Sequence, residues 1–370
     1  MLSGPTELSP DAARRLRLRT QGLVPPDDGP GPVEVVRRMV SLQGQDLPAV
    51  LRAIAIRSRA GTTLDDVRAA FDTGELVRGW TQRGTLFATT PGDLAALVSL
   101  TGDRMIRTGL RTRETEGLDD AVLAQAEAVA REALAPPGES GGITRAALLD
   151  RWHEAGVPVE GQRGYHLIAT LALRRVLHWG PFAGAQQLMV ATPDSGSVPP
   201  EEPGAALRRI ALSYFSSRGP TTTEDLAWWL GLPKVPVRAA VTELREEQPD
   251  AVADVLVDSR PMLVARDALG PGDAAEAGLT KPSGVVLVPG FDEFVLGYQD
   301  RELVADAEAM RTVVPFINGI FRPAVLLDGR IVGTWRRAPK KDEAPFELVP
   351  GIGARARKAV EAAVSGWHLG

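Results

Sequence analysis

Thr63-Leu64-Asp65-Asp66-Val67, Thr144-Arg145-Ala146-Ala147-Leu148 and Thr223-Glu224-Asp225-Leu226-Ala227 decide how this chain is organised. Each reads as a Thr N-cap, whose hydroxyl can accept from a backbone N–H one turn further on, followed by a short helix with an apolar stripe. The three recur at an interval of about 80 residues, the signature of a repeated structural unit. A second helical stretch follows each, and then strand-like segments: Thr85 to Thr89, Gln187 to Ala191, and Ala253 to Val257 with Met262 to Ala265. Helix, turn, helix and β-hairpin is the winged helix-turn-helix pattern. Pro136 to Gly142 and Pro193 to Gly204 read as linkers between units.

Working outward, Ser9 is a candidate N-cap with Pro10 at the first helical position, opening a helix through Arg19. A Pro/Gly/Asp loop from Pro25 to Pro32 ends it. Helices then fit Val33 to Leu42 and Pro48 to Arg59, separated by Gln43-Gly44-Gln45-Asp46. Beyond residue 280 the pattern turns to strands, Gly284 to Val288, Ala324 to Leu327 and Arg330 to Trp335, with Asp328-Gly329 as a hairpin turn. A last helix, Gly353 to Trp367, carries Ala356, Ala359, Val360, Ala363 and Val364 on one side and is expected to pack on that sheet. The predicted fold class is α+β, with module 1 over 1–118, module 2 over 119–203, module 3 over 204–280 and a β-rich region over 281–370.

Composition narrows the chemistry. The chain has 370 residues, 44% hydrophobic and 24% charged, enough for more than one core. There is no cysteine and there are only four histidines, none spaced as paired ligands on one helix face, so a disulfide framework, a thiol nucleophile and a metal site are not expected. No apolar run reaches bilayer length and the first residues lack the segments of a signal peptide, so a cytoplasmic location without a membrane partner is expected. The net charge of −5 argues mildly against a nucleic-acid partner, because phosphate binding needs clustered positive charge. Basic side chains nevertheless cluster, with Arg104, Arg107, Arg111 and Arg113 in one segment and Arg336, Arg337, Lys340 and Lys341 in another. All but five of the 42 basic residues are arginines.

Four strings in this order carry a family likeness: Leu42-Gln43-Gly44-Gln45-Asp46, Arg83-Gly84-Thr85-Leu86, Pro289-Gly290-Phe291-Asp292-Glu293-Phe294-Val295-Leu296-Gly297-Tyr298, and Val332-Gly333-Thr334-Trp335-Arg336-Arg337. Together they resemble the bacterial winged-helix DNA glycosylases that unhook interstrand crosslinks, the AlkZ-like branch with a glutamine pair. The resemblance spans nearly the whole chain. It implies three tandem winged helices in a C-shaped arrangement with a basic concave surface, and a β-rich C-terminal part. It also implies a monomer that needs no cofactor and hydrolyses the N-glycosidic bond of N7-alkylated purines in double-stranded DNA, crosslinked ones included. Some members protect producers of DNA-alkylating antibiotics from their own product. Phe87 stands where relatives often carry a histidine; it cannot serve as an imidazole does, and packing or stacking is its expected role.

Matched to the family's motif, Gln43 and Gln45 are the two catalytic glutamines. Residues two apart lie about 200° apart on a helix, so they converge only if the backbone is extended or turned, which Gly44 permits. Asp46 is a rival base, but its position before Leu47-Pro48 suits an N-cap better. Arg107, Arg111 and Arg113 are candidates to line a DNA channel, or else a solvated helix face. Arg336, Arg337 and Lys340 are candidates for phosphate or groove contacts, with a solvated strand edge as the alternative. Asp292 and Glu293 are expected in buried ion pairs, for instance with a hairpin arginine, and Trp335, Trp152, Trp179 and Trp228-Trp229 in cores. Two other functions fit the same modules: a non-catalytic DNA-binding regulator and a protein that sequesters the alkylating metabolite.

Overall fold

The computed structural model describes residues 5–24, 28–134, 141–193, 201–270, 279, 283–316, 319–337, 339 and 343–369. Contacts gather the chain into two units, Met1–Leu64 with Leu207–Gly370, and Asp65–Ala206. These divide the sequence at different places from the module boundaries set out above. Parts of the loop after Gly22 and of both linkers fall outside the described residues.

In the unit Asp65–Ala206, the helix Leu64–Asp72 leads into the hairpin Val77–Gln82 and Thr85–Thr89, closed by Arg83 and Gly84 with φ of 51° and 68°. The helices Asp120–Ala133, Arg145–Glu154 and Arg163–Leu173 precede a second hairpin, Leu177–Ala183 and Gln186–Ala191. The two hairpins join edge to edge, with Arg78 opposite Trp179. Their shared core holds Trp80, Trp152, Trp179, Leu148, Leu167 and Leu171. Trp152 is wholly buried, and its indole N–H donates to the Ala126 carbonyl at 2.9 Å, so the ring's one polar atom is satisfied. Thr144 caps its helix as expected, accepting from Ala147. Phe87 is fully buried, with the Arg83 guanidinium 5.5 Å from its ring centre.

The other unit repeats the order of helices and hairpin: Pro203–Arg218, Thr223–Leu230 and Lys234–Glu247, then Val252–Val257 and Arg260–Ala265. Here the N-cap is Thr222 and not Thr223, because Thr222 forms a reciprocal capping box with Asp225. The strand Thr6–Leu8 pairs in parallel with Val252–Val257, adding a strand from the start of the chain that its three residues do not announce. Ser9 then caps the helix Pro10–Thr20. The C-terminal sheet is antiparallel, in the order Phe346–Leu348, Arg330–Trp335, Ala324–Leu327, Val285–Val288. Trp335 is 2% exposed, donates to the Val288 carbonyl at 2.9 Å and lies 4.6 Å from Trp367. The last helix, Ala354–Ser365, turns Val360 inward, with Ala363, Val364 and Trp367 against the same cluster. Ala359 is exposed, so the packed stripe is narrower than expected.

Candidate active site

The bend at Gln43-Gly44-Gln45 differs from the sequence reading in how it is approached. The helix Pro32–Met39 stops three residues short of Leu42, and Ser41–Gln43 is a strand, fully buried. Val40, between them, has φ of 63°. A β-branched residue there is strained by about 1–3 kcal/mol, so the surroundings must hold it. After Gln45 the chain enters the helix Leu47–Ala55, capped by Asp46, whose carboxylate accepts from Ala49 N–H at 2.9 Å. That hydrogen bond gives Asp46 a structural task. The two glutamines therefore flank an extended-to-turned segment. Gln43 is 8% exposed and its amide oxygen accepts from Gly44 N–H at 3.2 Å. Gln45 is exposed.

Beneath the bend lies a buried polar network. Asp292 and Glu293 do form buried ion pairs, but their partners are Arg57 and Arg218 and not hairpin arginines. The Arg57 guanidinium grips both Asp292 oxygens at 2.8 Å and donates to Gln21 Oε1 at 2.8 Å. Asp292 also caps the helix Glu293–Leu296 through Phe294 N–H. Arg218 Nη2 meets Glu293 Oε2 at 2.8 Å, and the Trp229 indole N–H donates to that same oxygen at 3.0 Å. All four charged side chains of the two pairs are fully buried. A fork of donors facing a carboxylate is the geometry that offsets the desolvation of both charges.

The network reaches the bend through its backbone. Glu293 Oε1 accepts from Gln43 N–H at 3.0 Å. Arg218 donates to the Met39 carbonyl at 3.0 Å and to the Ser41 carbonyl at 2.9 Å, bracketing Val40. Tyr298 completes the framework: its hydroxyl donates to the Arg218 carbonyl at 2.9 Å and accepts from Gln21 Nε2 at 3.0 Å. Burial raises the Tyr298 phenol above its ordinary range, so it stays protonated and able to donate. Neither Arg57 nor Arg218 stands out locally in the sequence. The usable signal is indirect: two carboxylates in the apolar run Phe291 to Leu296 demand buried cations, without saying which.

The arginine candidates separate. Arg337 is exposed, and its charge helps lower the pKa of Arg52 on the Leu47–Ala55 helix, after burial and against the opposing effect of Asp46. Arg337 therefore lies near Arg52. Arg336 is half-buried and donates to the Ala344 carbonyl at 3.1 Å. Lys340 lies outside the described residues. In the other unit, Arg107 and Arg111 are exposed but on two helices, Pro91–Thr108 and Leu110–Thr115, that meet at Gly109. Arg113 is 6% exposed and donates to the Ile106 carbonyl at 2.8 Å, which makes it a helix-end cap facing inward. Among the described residues, no group of three or more His, Asp or Glu side chains is placed to hold a metal ion, and no helix is long and apolar enough to cross a membrane.

The fold and the sequence both have known counterparts. The AlkZ-like DNA glycosylase family matches residues 36–368, and the chain belongs to that family. It is similar to an interstrand DNA cross-link repair glycosylase of Streptomyces sahachiroi, 27% identical over 339 residues, 86% of this chain and 85% of that one. Its fold is similar to the solved structure of Streptomyces sahachiroi DNA glycosylase AlkZ, with a TM-score of 0.74 at 23% identity, covering 96% of this chain and 95% of the other. The mixed α+β architecture is thus that of a DNA glycosylase family.

Proposed function

We propose that the chain hydrolyses the N-glycosidic bond of N7-alkylated purines in double-stranded DNA, with Gln43 and Gln45 at the reacting centre. The observation that carries this is the bend itself: two amides two residues apart, one held at the end of a buried strand and the other exposed before a capped helix. Alkylation at N7 makes the purine cationic. When the C1′–N9 bond breaks, its electron pair neutralises the departing ring, so the base leaves without prior protonation. Water forms the new C1′–O bond and gives its surplus proton to solvent. The barrier left is the placing of that water and the stabilising of an oxocarbenium-like sugar.

Neutral amides suit both tasks. An amide oxygen can accept a hydrogen bond from water, and the Gln45 carbonyl dipole can face the developing positive charge. Normal guanine, a far poorer leaving group, would be spared. The same chemistry at a purine tethered to the opposite strand unhooks a crosslink, and such a base cannot swing fully out of the stack, so an approach through a groove is needed. Arg337 and Arg336 on one unit, and Arg107 and Arg111 on the other, are the proposed phosphate contacts, with Lys340 of the same basic string included on sequence grounds.

The three helix-and-hairpin repeats are read as tandem winged helices in a monomeric protein acting in the cytoplasm. The sequence division at 118, 203 and 280 is kept for the repeats. Protection of a host from its own alkylating product is the proposed biological setting. The test is duplex DNA carrying N7-methylguanine, incubated with protein and then treated with alkali. Strand scission at the lesion that disappears in the Gln43→Ala, Gln45→Ala double variant supports the reading; equal scission by that variant removes the pair from the mechanism. Binding of the free metabolite without any scission would favour sequestration instead.

A further inference from the structure

The Arg218–Glu293 pair does more than neutralise two buried charges. In a strand, the N–H and C=O of one residue leave from the same edge, and residues two apart share it. The Ser41 carbonyl and the Gln43 N–H are therefore one edge of the strand Ser41–Gln43. Along it, Arg218 takes the carbonyl at 2.9 Å and Glu293 takes the N–H at 3.0 Å. An ion pair here stands where a neighbouring strand would stand. It differs from a strand in being anchored: Arg218 lies 4.4 Å over the Trp229 ring, and Trp229 in turn donates to Glu293. The clamp also grips the Met39 carbonyl, so it holds both sides of the strained Val40.

We propose that Arg218 and Glu293 are positioning residues that fix the backbone of Gln43, and with it the angle at which the glutamine bend meets a substrate. This rests on the reading of Gln43 as part of the catalytic centre. Neither side chain is exposed, so neither touches DNA; both act through the main chain of residues 39–43. Glu293 is committed on both oxygens, to Gln43 on one and to Arg218 and Trp229 on the other. A glutamine at 293 has the same shape but only one acceptor oxygen, so its NH₂ must confront either the Gln43 N–H or the Arg218 and Trp229 donors. The bend would be released by a fraction of an ångström to an ångström, a displacement that costs up to about 100-fold in rate when reacting groups are involved.

The experiment compares Glu293→Gln, Arg218→Lys and Gln43→Ala on N7-methylguanine duplex, under single turnover, with duplex affinity and thermal melting measured on the same preparations. The expected result for Glu293→Gln and Arg218→Lys is a rate about 10- to 100-fold lower with duplex Kd changed less than threefold. A purely structural role would lower product amplitude and melting temperature while the folded fraction reacts at the wild-type rate, and that result overturns the proposal. If Gln43→Ala keeps the wild-type rate, the catalytic reading of the bend fails whatever the other variants do; if Gln43→Ala is dead and the other two are fast, only the positioning fails. Should the variants not fold, hydrogen exchange in the wild-type chain decides. The Gln43 amide must then exchange as slowly as the core strands, and exchange at the rate of the exposed Gln45 amide overturns the clamp.

Discussion

The turn at Asp328–Gly329 and the bend at Gln43–Gln45 both redirect the chain between regular elements, yet they are encoded in opposite ways. The first is specified where it stands. Asp and Gly accept φ of 50° and 78°, the Asp328 carboxylate accepts from Gly284 N–H at 2.9 Å, and the segments on either side are visibly apolar and strand-like. The second has a valine at φ of 63° where a glycine would be expected, and is held by side chains 177 and 250 residues further along the chain. A turn that only connects can be written in two letters. A bend that must hold side chains in one pose is written in the burial of distant charges.

If that contrast is right, the remote partners should matter most. Asp292→Ala, which strands Arg57 as an uncompensated buried charge, is expected to destabilise the protein by about 3–5 kcal/mol in urea unfolding. A loss below about 1 kcal/mol would mean the ion pairs are incidental to the framework. His178 offers a buried group with no charged partner among the described residues. Burial lowers its pKa to about 4, and its Nδ1 lies 3.0 Å from the Thr192 hydroxyl. Above pH 6.5 the ring is neutral whether folded or unfolded. As pH falls from about 6.5 to about 4 the unfolded chain binds a proton that the folded ring refuses, so stability is lost over that window, by about 3 kcal/mol in total. His178→Gln should flatten that part of a pH–stability curve, and an unchanged acid limb would assign the loss elsewhere.

Local encoding predicts smaller costs. Gly329→Ala combines a left-handed φ with a new Cβ 2.8 Å from the Arg14 carbonyl oxygen, and is expected to cost about 1–3 kcal/mol. Asp46→Ala removes one cap from the Leu47–Ala55 helix and should cost about 1 kcal/mol, while leaving excision within a few-fold of wild type. A larger catalytic loss would return Asp46 to the list of candidate bases.

What could be read in advance follows the same division. The strands Ala324–Leu327 and Arg330–Trp335, the Asp-Gly turn between them, the caps at Ser9, Asp46 and Thr144, and the buried Trp152, Trp179, Trp229 and Trp335 depend on neighbours within a few residues and appear where the sequence places them, whereas Trp228, expected in the core beside Trp229, is only half-buried. The strand Thr6–Leu8 was not legible, because its reason for existing is an edge 240-odd residues later, a separation set by its pairing with Val255 to Val257. The strand Ser41–Gln43 was hidden for a similar reason, since helix periodicity runs on through Leu42 and only Val40 interrupts it. The glutamines themselves were legible through the family's motif. Arg113 looked like a surface charge in its sequence, and only the fold of two helices meeting at Gly109 shows why it points inward.

Gln45→Ala tests the central claim most directly, because Gln45 is exposed and its removal should leave stability within about 0.5 kcal/mol of wild type. Release of N7-methylguanine from duplex DNA by this variant, followed by chromatography under single turnover, is expected to be at least about 100-fold slower than by the wild-type chain. Release at the wild-type rate from a fully folded Gln45→Ala protein would contradict the account.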